Sequence, residues 1–584
     1  MTDASWADSS TPHTPPRWSL LWYLLPAIYL LLWIPAIGDG YFSGYVFTND
    51  ARQQITPYWW LHGGGRMEDS LVYEYMYTYP PIGHRMLYFL LTFLTSPVIA
   101  SQFVALALAG VVVFFCVRIG SRSHSAIGAS LMYLLLRHHR WALAGGLPRD
   151  FGSPVALMFL YFLMTRNERG ILAALLASAL FYPPVFAICF ATYGLLLGAR
   201  WLKAPTRDWP AVMRFAVLGA LCVAVLLPSA LKPEHFGKVV TLEQATRMPE
   251  WNKGGRFPYV PLPAPWSQIR REPSRSLEPF APDRSPAIVS VDNSLRYRIA
   301  LALAAVGLVL LIRGPHRELV LPLLCWAAAS ILLYLLSTAV AFRLFIPERF
   351  LLYGVRLAVP FVLCIGFGSL GPFRWNGREI AAGPIALFGL IVTVLVIWRP
   401  GIPAREYLPN YGLADVRERA GFYQTIDALP PHSRIAGDPN ELDNVIITSG
   451  QDAYFTYETA HPLYLGYYRE ISRRIRAFHP AYFATDPETL AAFLKNEHID
   501  YLLVNRSHFG PDGLAAYRLF EPYETEVRAA FGSVTPARFV LSNTNLPGVV
   551  CESPPFVLLD ARRIIAGITL PRTGKNSIMA PDTP

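Results

Sequence analysis

The chain has 584 residues, of which 53% are hydrophobic and only 16% charged, a balance that excludes an ordinary soluble globular protein. Its formal net charge of +10 is scattered through short segments between apolar runs, which excludes a concentrated nucleic-acid-binding face and fits the loops of a membrane protein. Five of the six cysteines (Cys116, Cys189, Cys222, Cys325 and Cys364) lie in apolar runs and Cys551 stands alone in the polar tail, so neither a disulfide framework nor a zinc-ligand spacing is present.

Residues 1–19 are polar and rich in Pro and Ser, and read as a disordered cytoplasmic N-terminus without a positive leader or a small-residue cleavage site. The apolar run 20–37 is expected to be retained as the first span. Further spans are expected near 98–117, 125–144, 151–165, 171–182, 184–198, 211–230, 297–312, 319–341, 351–370 and 380–398. Repeated apolar runs of roughly 17–22 residues within 20–400 match a hydrocarbon core of about 30 Å. The segment Tyr182-Pro183-Pro184 reads either as a break between two short helices or as the kink of one long span. Segment 86–95 reads as an interfacial helix. The fold class is therefore an α-helical polytopic membrane protein of about 11 transmembrane helices, spanning 20–400, with a C-terminal extracytoplasmic α/β domain over 401–570 and a disordered tail over 571–584.

Basic residues set the orientation. With the N-terminus inside, Arg118 and Arg122, Arg166 and Arg169, Arg200, Lys203 and Arg207, Arg313 and Arg317, and Arg374 and Arg378 fall in inner loops. Outer loops 38–97 and 231–296 and the C-terminal domain then face outside. The spans are almost free of midplane acids, which argues against ion-coupled transport. Polar residues gather instead at outer helix ends: Arg137 to Arg140, Arg149 and Asp150, and Arg343, Glu348 and Arg349.

In the tail, 433–438, 444–449, 499–505, 537–541 and 555–559 read as strands, and 413–429, 487–496 and 514–531 as helices. No glycine-rich phosphate loop, nucleophile elbow or metal cluster is evident there.

Five constellations carry candidate chemistry. Asp50, beside Arg52 in the first outer loop, precedes Thr56-Pro57 and the aromatics Tyr58, Trp59 and Trp60, which are expected in the headgroup layer. A carboxylate there can take a proton from an acceptor hydroxyl, or simply cap a turn. Glu74 and His84, in the tyrosine-rich return to the membrane, read as substrate-lining or as an ordinary interfacial loop. Gly145-Gly146-Leu147-Pro148-Arg149-Asp150 places an arginine at an outer helix start, where it can hold a phosphate or pair with a neighbouring acid. Arg343 and Arg349, with Glu348 and Arg356, stand at another helix entrance, either for a phosphate or for headgroups. Trp251 and Arg256, in Met248-Pro249-Glu250-Trp251-Asn252-Lys253-Gly254-Gly255-Arg256, suit a sugar-stacking loop with an exposed indole.

With these residues assembled, the chain resembles the GT-C superfamily of integral membrane glycosyltransferases that use polyprenyl-phosphate-linked sugars, and within it a group of bacterial multispan proteins. The resemblance rests on Asn49-Asp50-Ala51-Arg52-Gln53-Gln54, Gly146-Leu147-Pro148-Arg149-Asp150-Phe151, Phe181-Tyr182-Pro183-Pro184, Met248 to Arg256 and Ile346-Pro347-Glu348-Arg349-Phe350. In the tail it rests on Leu429-Pro430-Pro431-His432-Ser433-Arg434-Ile435 and Ile499-Asp500-Tyr501-Leu502-Leu503-Val504. It implies Asp50 as catalytic base and Arg149 and Arg349 as phosphate binders. It further implies a polyprenyl-phosphate-linked sugar as donor, a glycan, lipid or protein as acceptor, membrane lipids as surroundings, and a bacterial inner or plasma membrane location. Many such enzymes carry two adjacent acids; here Asn49 stands beside Asp50, which argues against a bound divalent metal, and no cofactor is assigned. The expectation is a glycosyltransferase with an outward-facing site. Its rival is a lipid or polymer transporter, or a non-catalytic membrane scaffold of the same fold.

Overall fold

The computed structural model describes residues 40–61, 66–121, 145–203, 209–275, 293–344, 346–368, 374–375, 378–379, 413–510 and 513–569. The expected spans 20–37, 125–144 and 380–398, and the cluster Arg137 to Arg140, lie outside these residues. The other eight expected spans fall on helices. Among the described residues, five helices are long and apolar enough to cross a membrane: Pro97–Gly120, Pro183–Leu202, Trp209–Pro228, Arg317–Val340 and Glu348–Phe367. They mark an integral membrane protein, and apolar side chains such as Leu332, Leu335 and Leu336 stay exposed along them, as lipid-facing positions do.

Tyr182 has an extended backbone between the helices Glu168–Phe181 and Pro183–Lys203. The first proline of the pair opens the second helix, a position where its missing N–H costs nothing. The choice left open at this segment is thus resolved as two helices meeting at a break. A second break separates Glu348–Tyr353 from Val355–Gly368 at Gly354. The neighbouring helix adds donors at this break: Trp326 donates its indole N–H to Gly354 O at 2.9 Å, which also accepts the Ala358 N–H, and the Ser330 hydroxyl donates to Phe350 O at 2.6 Å, which also accepts the Gly354 N–H. Helix Ile82–Leu91 leaves Met86, Leu90 and the following Phe93 and Leu94 exposed, the amphipathic form expected of an interfacial segment.

The C-terminal region holds a five-stranded mixed sheet in the order Asp452–Ala453, Arg434–Gly437, Tyr501–Asn505, Phe556–Asp560, Val549–Ser553. The first three strands run parallel and the last two antiparallel. Three expected strands, 433–438, 499–505 and 555–559, match it. The other two are corrected. Residues 444–449 belong to the helix Pro439–Ser449, although Val445, Ile446, Ile447 and Thr448 are β-branched. Asp438 caps its start by accepting from the Asn440 and Glu441 N–H groups, and Gly450, at φ +67°, ends it. Because the helix is buried on nearly every side, its apolar run shows no helical stripe. Residues 537–541 form two 3-10 turns, Pro536–Arg538 and Val540–Ser542, the first opened by its proline.

Two expected helices are shorter than predicted. Only Ala420–Asp427 of 413–429 is α-helical, because Leu413–Asp415 pairs antiparallel with Val46–Thr48 of the first loop. Only Tyr523–Phe531 of 514–531 is α-helical, starting after Pro522. The 18-residue helix Leu465–Tyr482 was not anticipated, although Tyr468, Ile471, Ile475, Phe478 and Tyr482 bury one face at helical spacing.

The first loop docks on the sheet domain. Trp59 and Trp60 do not lie in a headgroup layer: their indole N–H groups donate to Ile447 O and Gly450 O, both at 2.7 Å. Ile447 O is among the last carbonyls of its helix, which have no partner within the helix itself. Trp60 also stacks on Tyr73 at 4.3 Å between centroids. Replacing Trp60 with Ala is expected to cost about 3–5 kcal/mol, and with Phe only the 1–3 kcal/mol or so of an orphaned carbonyl. Thermal unfolding in detergent should rank the variants in that order.

Candidate active site

Asp50 heads the short helix Ala51–Gln54. It sits where the strand Val46–Thr48 turns, with Thr48 Oγ1 accepting the Ala51 N–H at 3.2 Å. Its carboxylate forms an ion pair with the Arg149 guanidinium, 99 residues away in sequence. The two side chains keep 30% and 34% exposure, enough for a ligand to reach both.

Arg149 belongs to the 3-10 turn Pro148–Phe151 that leads into helix Gly152–Met164. Tyr353 fixes that turn by donating its hydroxyl to Arg149 O at 2.9 Å. A Cβ at Gly152 would overlap the Tyr353 and Tyr182 rings, so glycine there lets both tyrosines close over the helix start. Asp150 is buried and accepts the Leu147 N–H at 2.9 Å, while Arg149 Nε lies 3.7 Å from it. Burial pushes the Asp150 carboxyl up to about 6, against the opposing pull of Arg149. For Arg149, burial acts to lower the pKa, but Asp50 and Asp150 together raise it, so the guanidinium stays charged.

Arg349 donates to the Tyr182 hydroxyl at 3.2 Å and lies over that ring. Tyr182 and Tyr353 meet edge to face at 5.1 Å. Asp50, Arg149, Tyr353, Tyr182 and Arg349 therefore form one connected set. Tyr259, from the long loop, completes its rim. Burial raises its phenol pKa, and Arg349, Glu348, Arg256 and Asp50 are all near enough to act on it. Beside Tyr259 a cleft of about 190 Å³ is lined by Pro261, Tyr334, Thr338, Phe342 and Glu348.

The remaining sequence candidates have other places. Arg52 donates to Asn444 at 2.6 Å and to Asn49 at 3.4 Å. Arg256 is clamped on Glu458 at 2.6 Å. Arg343 is exposed in the turn after helix Val320–Val340. The Glu74 carboxylate meets His235 Nε2 at 2.9 Å. His84 does not line an open site. It is fully buried, Nε2 donates to Gly146 O at 3.0 Å, and Nδ1 therefore accepts from the Tyr58 hydroxyl at 2.7 Å. Burial lowers its pKa to about 3, so it is a neutral packing group. The exposed indole expected at Trp251 is likewise corrected: the ring is 1% exposed, packs on Phe342 at 4.1 Å and donates to Pro462 O at 3.3 Å.

Sequence reasoning passed over Tyr353 and Tyr259. Tyr353 had a readable signal, since it stands four residues after Arg349 and shares its helix face. For Tyr259, brought in by a long loop, the sequence carried none.

The described residues do not assemble a divalent-metal site here. Asp50 already faces a guanidinium, Asp150 is committed to a backbone N–H, and among the described residues no three His, Cys, Asp or Glu side chains converge as ligands. Carboxylate, guanidinium and phenol groups at the start of helix Gly152–Met164 are suited to an anionic ligand and a proton transfer.

No protein-family model and no curated protein matches the chain. Over most of its length it is structurally similar to solved GT-C glycosyltransferases. Against ArnT from Cupriavidus metallidurans in the apo state, the identity is 14% and the TM-score 0.37, covering 94% of this chain and 98% of that one. Against the oligosaccharyltransferase AglB from Archaeoglobus fulgidus, in complex with an inhibitory peptide and a dolichol-phosphate, the identity is 10% and the TM-score 0.43, covering 85% and 71%. The apo form of the Archaeoglobus fulgidus oligosaccharyltransferase gives 10% identity and a TM-score of 0.43, covering 87% and 72%.

The raised Asp150 carboxyl has a consequence for pH. Its contribution is fully present below its unfolded pKa of about 4 and is lost as pH rises through about 6. Asp150→Asn is therefore expected to gain stability relative to the native chain between those values, and parallel unfolding curves at pH 4 and pH 6.5 should show the crossover.

Proposed function

We propose that the chain is a membrane glycosyltransferase that moves a sugar from a polyprenyl-phosphate carrier to an acceptor hydroxyl. The observation that carries this reading is the contact between Asp50 and Arg149, a half-open carboxylate–guanidinium pair at the start of helix Gly152–Met164. A guanidinium has five donors, so Arg149 can share itself between Asp50 and an incoming phosphate. Arg349 and its tyrosine neighbours supply a second cationic contact.

In the proposed step, Asp50 accepts the proton of the acceptor hydroxyl as its oxygen forms a bond to the sugar's anomeric carbon. The bond from that carbon to the carrier phosphate breaks, and the phosphate leaves with the electron pair. Attack from the face opposite the leaving group inverts the anomeric centre. Arg149 and Arg349 stabilise the charge that develops on the phosphate. The cleft beside Tyr259 borders the lipid-facing helix Val320–Val340, a suitable course for the carrier's hydrocarbon chain.

Membranes bearing the native chain, Asp50→Asn or Arg149→Lys should be compared for transfer from radiolabelled polyprenyl-phosphate sugars. Loss of the base is expected to lower transfer by about 10²–10⁴. Lysine at 149 keeps the charge but loses the fork, and should raise the donor KM by about 10–100-fold. Equal transfer by the native chain and Asp50→Asn would remove Asp50 as base.

A further inference from the structure

Asp50 is tied to the C-terminal domain through the residues that follow it. The Gln53 backbone N–H donates to Asp50 O at 3.2 Å. The Gln53 side-chain amide donates to Glu458 Oε2, and the same oxygen accepts from Arg256 Nη2 at 2.6 Å. Arg256 also donates to the carbonyls of Tyr457 (2.8 Å) and Glu458 (2.9 Å), and lies over the Tyr457 ring. Its guanidinium is thus held in one place.

Behind Glu458 stands Asp443, 1% exposed on helix Pro439–Ser449. Both its oxygens accept the Glu458 N–H at 3.1 Å. Arg52 reaches Asp443 electrostatically but spends its hydrogen bonds on Asn444 and Asn49. Farther along the helix, Glu441 is already neutralised by Arg419 at 2.7 Å. The buried Asp443 carboxyl and the partly buried Glu458 carboxylate therefore lie side by side, with Arg256 bonded to Glu458 and Arg52 acting on Asp443 only through space, and a proton on Asp443 relieves their repulsion. Burial first, and the Glu458 carboxylate next, push the Asp443 carboxyl up to about 8.

We propose that Asp443 and Glu458 are positioning residues for Asp50: they anchor Gln53 and Arg256, and so hold the helix that begins at Asp50 against the C-terminal domain. The proposal rests on the reading of Asp50 as the transfer base. The grip depends on a proton. When it is closed, Asp443 is protonated to about pH 8; when it opens, the solvated carboxyl ionises near 4. The closed form thus holds one proton more between these values. The grip is full below about pH 4, weakens about tenfold per pH unit up to about 8, and changes no further above that.

Amide hydrogen exchange of the full-length chain in detergent reads this directly, in peptides covering residues 50–61. Corrected for the intrinsic exchange rate, native protection is expected to fall by up to about 100-fold between pH 6 and pH 8. Asp443→Asn, uncharged and of the same shape, is expected to show a flat profile. The same pH dependence in both chains, or none in the native chain, overturns the latch. This readout needs no sugar transfer, so its failure is distinguishable from the failure of the glycosyltransferase reading. In the transfer assay, Gln53→Leu is expected to lower kcat about tenfold, with the donor KM within about twofold. An unchanged kcat overturns the positioning role.

Discussion

The arrangement depends on the docking of the first loop onto the C-terminal end of helix Pro439–Ser449. That end leaves carbonyls without partners inside the helix, and the indoles of Trp59 and Trp60 supply two of the missing donors. Each tryptophan buries a large apolar ring while its one polar atom is satisfied. The loop is therefore fixed by directional bonds as well as by hydrophobic burial. Asp50 lies at its start, where the strand Val46–Thr48 is itself paired with Leu413–Asp415. Backbone pairing before Asp50 and side-chain docking after it leave the carboxylate little freedom.

The electrostatics of the site follow from unequal burial of two neighbouring acids. Asp150 is enclosed and its pKa is raised, so its hold on Arg149 weakens as the pH falls toward 6. Asp50 is half open and takes the direct contact with the same guanidinium. One arginine thus serves a buried acid that orders the turn and an open acid that faces the solvent side. Arg349 is held differently, donating to a phenol and lying over its aromatic face, contacts that orient a guanidinium.

Much of the membrane part was legible because its signal is one of length and hydropathy, which tertiary contacts do not override. The break at Tyr182 was legible as a place, since two consecutive prolines there interrupt the helix pattern. Asp50 and Arg149 stood out as polar residues at apolar boundaries, and they meet in the fold. What could not be read was burial of polar and aromatic groups within the loops. Trp251 and His84 look like ligand-facing residues in sequence, yet each finds its partners in the protein. Residues 444–449 of helix Pro439–Ser449 resembled a strand because burial on nearly every side erased its stripe. Asp443 and Glu458 carried no signal at all, since their meaning lies in contacts with the first loop made across 392 and 405 residues of chain, those of Arg52 with Asn444 and of Gln53 with Glu458.

The two halves of the carboxylate–guanidinium pair are held by different parts of the molecule. Arg149 is set by the turn that opens helix Gly152–Met164, with Tyr353 bonded to its carbonyl from the helix that also bears Arg349. Asp50 is set by the loop that the C-terminal domain grips. A displacement of that domain would carry Asp50 with it while Arg149 and Arg349 kept their places. The distance between the carboxylate and the two arginines is therefore a property of domain docking rather than of either part alone. For a reaction that needs its base and its leaving-group contacts aligned within a fraction of an ångström or so, the C-terminal domain then acts as part of the site even though its own charged residues stand behind Asp50.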